Sequence, residues 1–148
     1  MTKILIMGLP GSGKTWLAER LQEKLECAWF NADEVRGQAN DWNFSEAARL
    51  RQARRMRNIA DFEKGEGNIV ICDFVCPTEL TRHIFEADIT VWMDTISSGR
   101  YEDTNIIFEQ PKNYDVRIKK WIEQNQLYKC LEDFNHGTKD ILSCLKKL

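Results

Sequence analysis

Three prolines and two histidines in 148 residues leave nothing for a proline-rich linker or a histidine-built metal cluster. No apolar run approaches the roughly 20 residues that a bilayer-crossing helix needs, so no membrane association is expected. The formal net charge is only −2, which gives no general attraction to nucleic acid or to an anionic membrane surface. The short basic series Lys112, Arg117, Lys119 and Lys120 is too modest to change that expectation. Cysteine is odd in number, at 27, 72, 76, 130 and 144, and lacks framework spacing. Cys72 and Cys76 are neighbours, but no second pair completes a zinc site, so reduced thiols in a cytoplasmic protein are expected.

Hydrophobic content of 43% and charged content of 30% suit one domain, residues 1–148, around one core. Gly8, Leu9, Pro10, Gly11, Ser12, Gly13, Lys14 and Thr15 spell G-x-x-x-x-G-K-T directly after the apolar run Ile4-Leu5-Ile6-Met7. A strand feeding a glycine-rich turn and then a helix is the setting in which this string cradles phosphate. Backbone N–H groups converge at the helix N-terminus, which already favours an anion. Lys14 then reaches the β- and γ-phosphates of a nucleotide, and the Thr15 hydroxyl is a Mg²⁺ ligand. The expected ligand is a nucleoside triphosphate, ATP with Mg²⁺. With strand and loop at its start, the chain is expected to carry no signal peptide.

Strand-like and helix-like segments alternate, the pattern of a parallel sheet covered by helices on both faces. Strands are predicted near 3–7, 27–30, 68–72, 88–93 and 114–118, and helices near 14–25, 45–64, 78–86, 121–134 and 139–147. Ser45-Glu46 reads as a helix start and Gly65 with Gly67 as its stop; His136-Gly137 and Thr138 read as the stop and cap of the last two helices. The stretch 97–111 is polar and without periodicity. A loop of that length in a compact domain is commonly functional, and a lid over the nucleotide is the expectation.

Ligands of open α/β sheets sit at the carboxyl ends of strands, so Asn31 to Arg36 should face the phosphate loop. Asp33 reads as a base for an acceptor hydroxyl or as a water-mediated Mg²⁺ partner, and Arg36 as a bidentate anion ligand; a solvated ion pair is the plainer alternative. Asp73, closing Asn68 to Cys72, is either a metal-side carboxylate acting through water or a turn aspartate. Arg49, Ala53, Met56 and Ala60 form an inward stripe, whereas Arg51, Arg54, Arg55 and Arg57 should be solvated. An inward guanidinium requires an anion, which makes Arg49 a substrate candidate beside an internal salt bridge. Phe44 reads as a base-stacking ring or a hydrophobic staple. In the lid, Arg100 is placed to meet phosphate and Tyr101 to cover a base, though either suits a surface; His83 and His136 read as structural.

Taken together, residues 3 to 118 resemble the adenylyl-sulfate kinase family, most closely its short members. Gly8 to Thr15 match its G-L-S-G-S-G-K-S/T, Asn31 to Arg36 its D-G-D-N-V-R, Trp42 to Arg55 its L-G-F-S-x-x-D-R-x-x-N-I-R-R, and Asp73 to Pro77 its S-F-I-S-P. The resemblance implies a three-layer α/β/α P-loop fold, like that of nucleoside-monophosphate kinases, with about five parallel strands. It implies transfer of the γ-phosphoryl of Mg²⁺-ATP to the 3′-hydroxyl of adenylyl sulfate, a small-molecule partner, and is compatible with a homodimer. It also implies roles for Asp33, Arg36, Arg49 and Gln52 at the acceptor, backbone contacts from Val75 and Cys76, and a purine held between Phe44 and Tyr101. Tyr101 is placed by counting back from Phe108-Glu109-Gln110-Pro111, similar to the family's Y-E-A-P. Four departures stand out: Asn31 for the first aspartate, Gln52 for an asparagine, no basic K-G-L-Y lid segment, and an unmatched 121–148. These fall on the acceptor side, where kinases of other hydroxyls and a non-catalytic ATP-binding module are the alternatives.

Overall fold

Alternation along the first strand sets the layers. The strand β1 (Thr2–Met7) is buried along its length, and Ile4 and Ile6 serve one face while Leu5 and Met7 serve the other. In this computed structural model, which describes residues 2–132 and 138–148, β1 pairs in parallel with β3 (Ile69–Asp73) and β4 (Ile89–Met93). Beyond them lie β2 (Ala28–Asn31) beside β3 and β5 (Val116–Ile118) beside β4, giving the order β2-β3-β1-β4-β5. Strands buried on both faces need helices on both faces.

The Ile4–Ile6 face is covered by α1 (Lys14–Leu25), α6 (Gln124–Glu132) and α7 (Thr138–Lys146), through Leu17, Leu21, Leu127, Leu131, Ile141 and Leu145. The opposite face is covered by α2 (Ala32–Ala39), α3 (Glu46–Gly65) and α4 (Glu79–Phe85), through Val35, Ala53, Met56, Ala60 and Phe85. This is the expected three-layer α/β/α arrangement. At the foot of β1 the buried Lys3 ammonium pairs with Asp61 at 2.7 Å and lies over the Phe85 ring, so its charge is met inside the helical layer.

All five strands run the same way, so their carboxyl ends share one edge. Strands lie on both sides of β1, which opens a crevice there, and the glycine-rich turn fills it. Besides shifts of one or two residues at several element ends, three features differ from those predicted. Residues 32–39 form α2, whose start is capped by the Asn31 side chain accepting from Asp33 N and Glu34 N. An asparagine followed three residues later by Glu34 is an N-terminal signal of the ordinary kind. The 97–111 stretch contains α5 (Glu102–Ile107), and α6 starts at Gln124 instead of 121. The expected stop at His136-Gly137 and the Thr138 capping side chain lie outside the described residues.

The expectation of reduced thiols throughout is corrected at one pair. Cys130 of α6 and Cys144 of α7 form a disulfide, with Cα atoms 5.4 Å apart. Their 14-residue separation carries no motif; the packing of two amphipathic helices brings them together. Cys72 and Cys76 are buried free thiols, and burial pushes Cys76 up to about 12, the state of an inert structural cysteine.

Leu17 is fully buried between α1 and the sheet. Leu17→Ala should cost about 2–5 kcal/mol in denaturant unfolding, the range for an unrelieved core cavity.

Candidate active site

The turn from β1 to α1 is built around glycines. At Gly8 (φ +152°) a Cβ would come within 2.6 Å of the Met93 carbonyl oxygen and 2.8 Å of Ser12 Oγ, so only glycine fits beneath the loop. Gly13 (φ +98°) precedes α1, and no side chain caps that helix, leaving its first N–H groups for an anion. Ser12 Oγ is buried without a hydrogen-bond partner in the same turn. Lys14 Nζ donates to the Leu9 carbonyl at 3.0 Å, and the residue is 9% exposed. Burial lowers its pKa to about 8, against the opposing charges of Asp73 and Asp33. A polyphosphate supplies the negative charge that such a group lacks.

Asp73 stands at the end of β3, 2% exposed. Its carboxylate accepts from Trp29 Nε1 at 2.6 Å, Asn31 Nδ2 at 3.1 Å and the Thr15 hydroxyl at 3.2 Å. Burial holds its carboxyl above the usual range, with these hydrogen bonds and Lys14 opposing. Thr15 and Asp73 are hard oxygen donors at adjoining ends of loop and strand, a set that fits Mg²⁺ bound with waters and phosphates. Among the described residues no group of three or more His, Cys, Asp or Glu is placed to hold a metal.

Beside the loop is a cleft lined by Asp33, Arg36, Phe44, Arg49, Gln52, Val75 and Cys76, among others. Every acceptor-side residue expected from the sequence is therefore here, Tyr101 excepted. Two guanidiniums approach the Phe44 ring, with Arg36 Cζ 4.5 Å and Arg49 Cζ 5.6 Å from its centroid. It precedes the Ser45 cap of α3, the staple position, but the side chain it meets is Arg49. Arg36 Nη1 donates to the carbonyls of Asp41 and Asn43, at 3.1 and 2.9 Å. Arg49 donates to the Phe44 carbonyl at 2.9 Å and reaches the lid at Thr104 Oγ1, 3.4 Å, and Asp103, 3.7 Å. Gln52 ties α3 to α2 by donating to the Ala32 carbonyl at 3.0 Å. Cys76 has φ +47°, and its carbonyl accepts from Arg82 Nε at 3.0 Å.

Arg100 and Tyr101 stack on each other, 5.6 Å from guanidinium carbon to ring centroid, and do not line the cleft. The 97–111 stretch is tied together at Gly99, which exchanges two hydrogen bonds with the Asn105 side chain, at 2.7 and 2.9 Å. A Cβ at Gly99 would lie 3.1 Å from the Pro10 carbonyl oxygen, so this stretch packs closely on the phosphate loop.

Sequence reasoning missed three features. Trp121, 60% exposed, lies against Gly13, where a Cβ would meet it at 3.0 Å. Trp29 and Asn31 hold Asp73, and Asn31 was legible only as a departure from a family motif. Asp41 gathers Arg51 at 3.1 Å and Arg55 at 2.9 Å and thereby holds the loop that carries Phe44. This corrects the expectation of a solvated Arg55, which is partly covered where the 41–45 loop folds back over α3, whereas Arg51 is exposed as expected.

The two guanidiniums, Arg55 first, hold the Asp41 carboxyl at about 2, below the ordinary 3.8. The depressed value makes the unfolded chain bind the proton first as pH falls, so the contribution to stability is complete above about pH 4 and lost through about pH 2. The difference in Tm between wild type and Asp41→Asn should be constant above about pH 4 and shrink toward pH 2 in a thermal unfolding series.

Comparison with known proteins agrees with this geometry. Residues 4–102 match the AAA domain family. A probable adenylyl-sulfate kinase of Aeropyrum pernix is 34% identical over 134 residues, covering 81% of this chain and 70% of that protein. An adenylyl-sulfate kinase of Pseudomonas entomophila is 37% identical over 87 residues, 55% of this chain and 42% of that protein. The structure of Mycobacterium tuberculosis APS kinase in complex with AMPPNP and APS superposes with TM-score 0.71 at 22% identity, covering 89% of this chain and 95% of that one. Shikimate kinase of Aquifex aeolicus shares the fold more distantly, with TM-score 0.60 at 15% identity over 86% of this chain and 91% of that one. A phosphate-loop kinase that transfers phosphate to a hydroxyl is what these relationships and the loop describe, and the chain belongs to the adenylyl-sulfate kinase family.

Proposed function

We propose that this chain, acting as one domain, transfers the γ-phosphoryl group of Mg²⁺-ATP to the 3′-hydroxyl of adenylyl sulfate. The observation that carries the proposal is the cleft beside the phosphate loop, where Asp33, Arg36, Phe44 and Arg49 converge. An acceptor with a purine, a sugar hydroxyl and acidic groups calls for a ring to stack on, a base and cations, and those residues supply the three.

In this reading the amides of Gly8 to Thr15 and the Lys14 ammonium hold the β- and γ-phosphates. Thr15, with Asp73 through water, holds Mg²⁺, which supplies neutralisation of the phosphate charge. Asp33, exposed in the first turn of α2, orients and deprotonates the attacking hydroxyl. Arg36 and Arg49 anchor the acceptor's phosphate and sulfate, with Phe44 against its purine. The 97–111 lid, carrying Arg100 and Tyr101, covers the bound pair and excludes water that would compete as acceptor.

The test is γ-labelled ATP incubated with adenylyl sulfate, shikimate, gluconate and an oligonucleotide side by side. Labelled product with adenylyl sulfate supports the proposal. Product with another acceptor alone redirects it, and none with any acceptor leaves an ATP-binding module. Lys14→Ala should lower kcat by about 10²–10³, the scale for removing one electrostatic stabiliser. Arg49→Ala should act mainly through the acceptor, raising its KM about 10-fold or more, as expected for a lost charge-assisted hydrogen bond.

A further inference from the structure

We propose that Asn31 is a positioning residue that locks the Asp73 carboxylate, the Thr15 hydroxyl and the start of α2 into one unit. The inference rests on the reading of Thr15 and Asp73 as the metal side of the site, and assigns a role to a side chain which that reading leaves unused.

The parallel register pairs Asn31 with Asp73 at the ends of β2 and β3. Asn31 Oδ1 accepts from Asp33 N at 3.0 Å and Glu34 N at 3.2 Å. Its Nδ2 donates to Asp73 Oδ1 at 3.1 Å and to Thr15 Oγ1 at 3.2 Å. An amide has two acceptor lone pairs and two donor hydrogens, so every capacity of this side chain is in use. The two backbone N–H groups can only donate, which fixes the end that is oxygen. Thr15 Oγ1 in turn donates to Asp73 Oδ1 at 3.2 Å, leaving one of its two lone pairs for a cation.

No other residue type fulfils both halves. Aspartate caps a helix as well as asparagine does, but would set a second carboxylate against Asp73 where a donor now stands. Serine caps too but has no amide to reach the carboxylate. The strand ends thus carry one negative charge held by a neutral donor. The same unit ties the phosphate loop to α2, the helix that bears Asp33 and Arg36.

Calorimetric titration of the full chain with Mg²⁺-ATP, beside thermal unfolding, tests the assignment. Asn31→Asp and Asn31→Ser both keep the cap and should still unfold cooperatively, somewhat below the wild-type temperature because each removes the amide donor to the buried Asp73. Each should bind Mg²⁺-ATP about 10- to 100-fold more weakly, the usual effect of removing an outer-shell partner of a metal ligand. The exchange variant Asn31→Asp/Asp73→Asn restores one carboxylate and one amide in register and should return to within about threefold of wild type. A residue needed only as a helix cap would show no loss in Asn31→Asp and no rescue by the exchange. Wild-type affinity in either single variant, or an exchange variant no better than Asn31→Asp, overturns the inference alone. Wild-type protein that fails to bind Mg²⁺-ATP overturns both the inference and the proposed function.

Discussion

Parallel pairing of β1 with β3, and of β3 with β2, is the constraint from which the site follows. It brings Met7, Asn31 and Asp73 to one edge, because parallel strands in register end together. The chain leaves β1 into a turn that must pass under the Met93 carbonyl, so that turn begins with glycine. It leaves β2 into a helix capped by its own last strand residue. The glycine-rich loop, the Thr15 and Asp73 oxygens and the cleft of Asp33, Arg36 and Arg49 become neighbours through backbone geometry, before any side chain is chosen.

Side-chain choice then sorts charge. Lys14, Arg36 and Arg49 sit where burial disfavours their charged forms. Each is held by neutral carbonyl oxygens, of Leu9, of Asp41 and Asn43, and of Phe44. Carbonyls orient a cation without neutralising it, so positive potential remains at the cleft. The acidic residue nearest Arg49 is Asp103 of the lid, 72% exposed and 3.7 Å away. An exposed pair of that kind contributes little. The acid that matters structurally, Asp41, takes Arg51 and Arg55 instead and steadies the loop behind the cleft.

What was legible in the sequence had local causes. The strands, α1 and the phosphate turn follow from apolar runs and glycine spacing. The inward stripe of α3 placed Ala53, Met56 and Ala60 correctly in the core. The helix α2 was hidden because its charged surface resembled a loop, although its cap stood in plain view at Asn31. The Asp41 cluster was not legible, since it needs the 41–45 loop folded onto arginines ten and fourteen residues away. Tyr101 was placed by motif counting, which fixes position along the chain but not the direction of an exposed ring. The Cys130–Cys144 link and the seat of Trp121 on Gly13 depend on how the last part of the chain docks, which helical periodicity alone does not specify.

The centrality of β1 bears on how the molecule is made. Thr2 pairs with Ile69 and Ile4 with Ile89, so β1 acquires both neighbours only after scores of further residues have been made. Contacts of such sequence separation form slowly and leave strand edges bare in the meantime. The Met93 carbonyl lies against Gly8, so the nucleotide cradle acquires its final packing only once β4 has been made. Until then the cradle's glycine-rich segment lacks one of the walls it packs against.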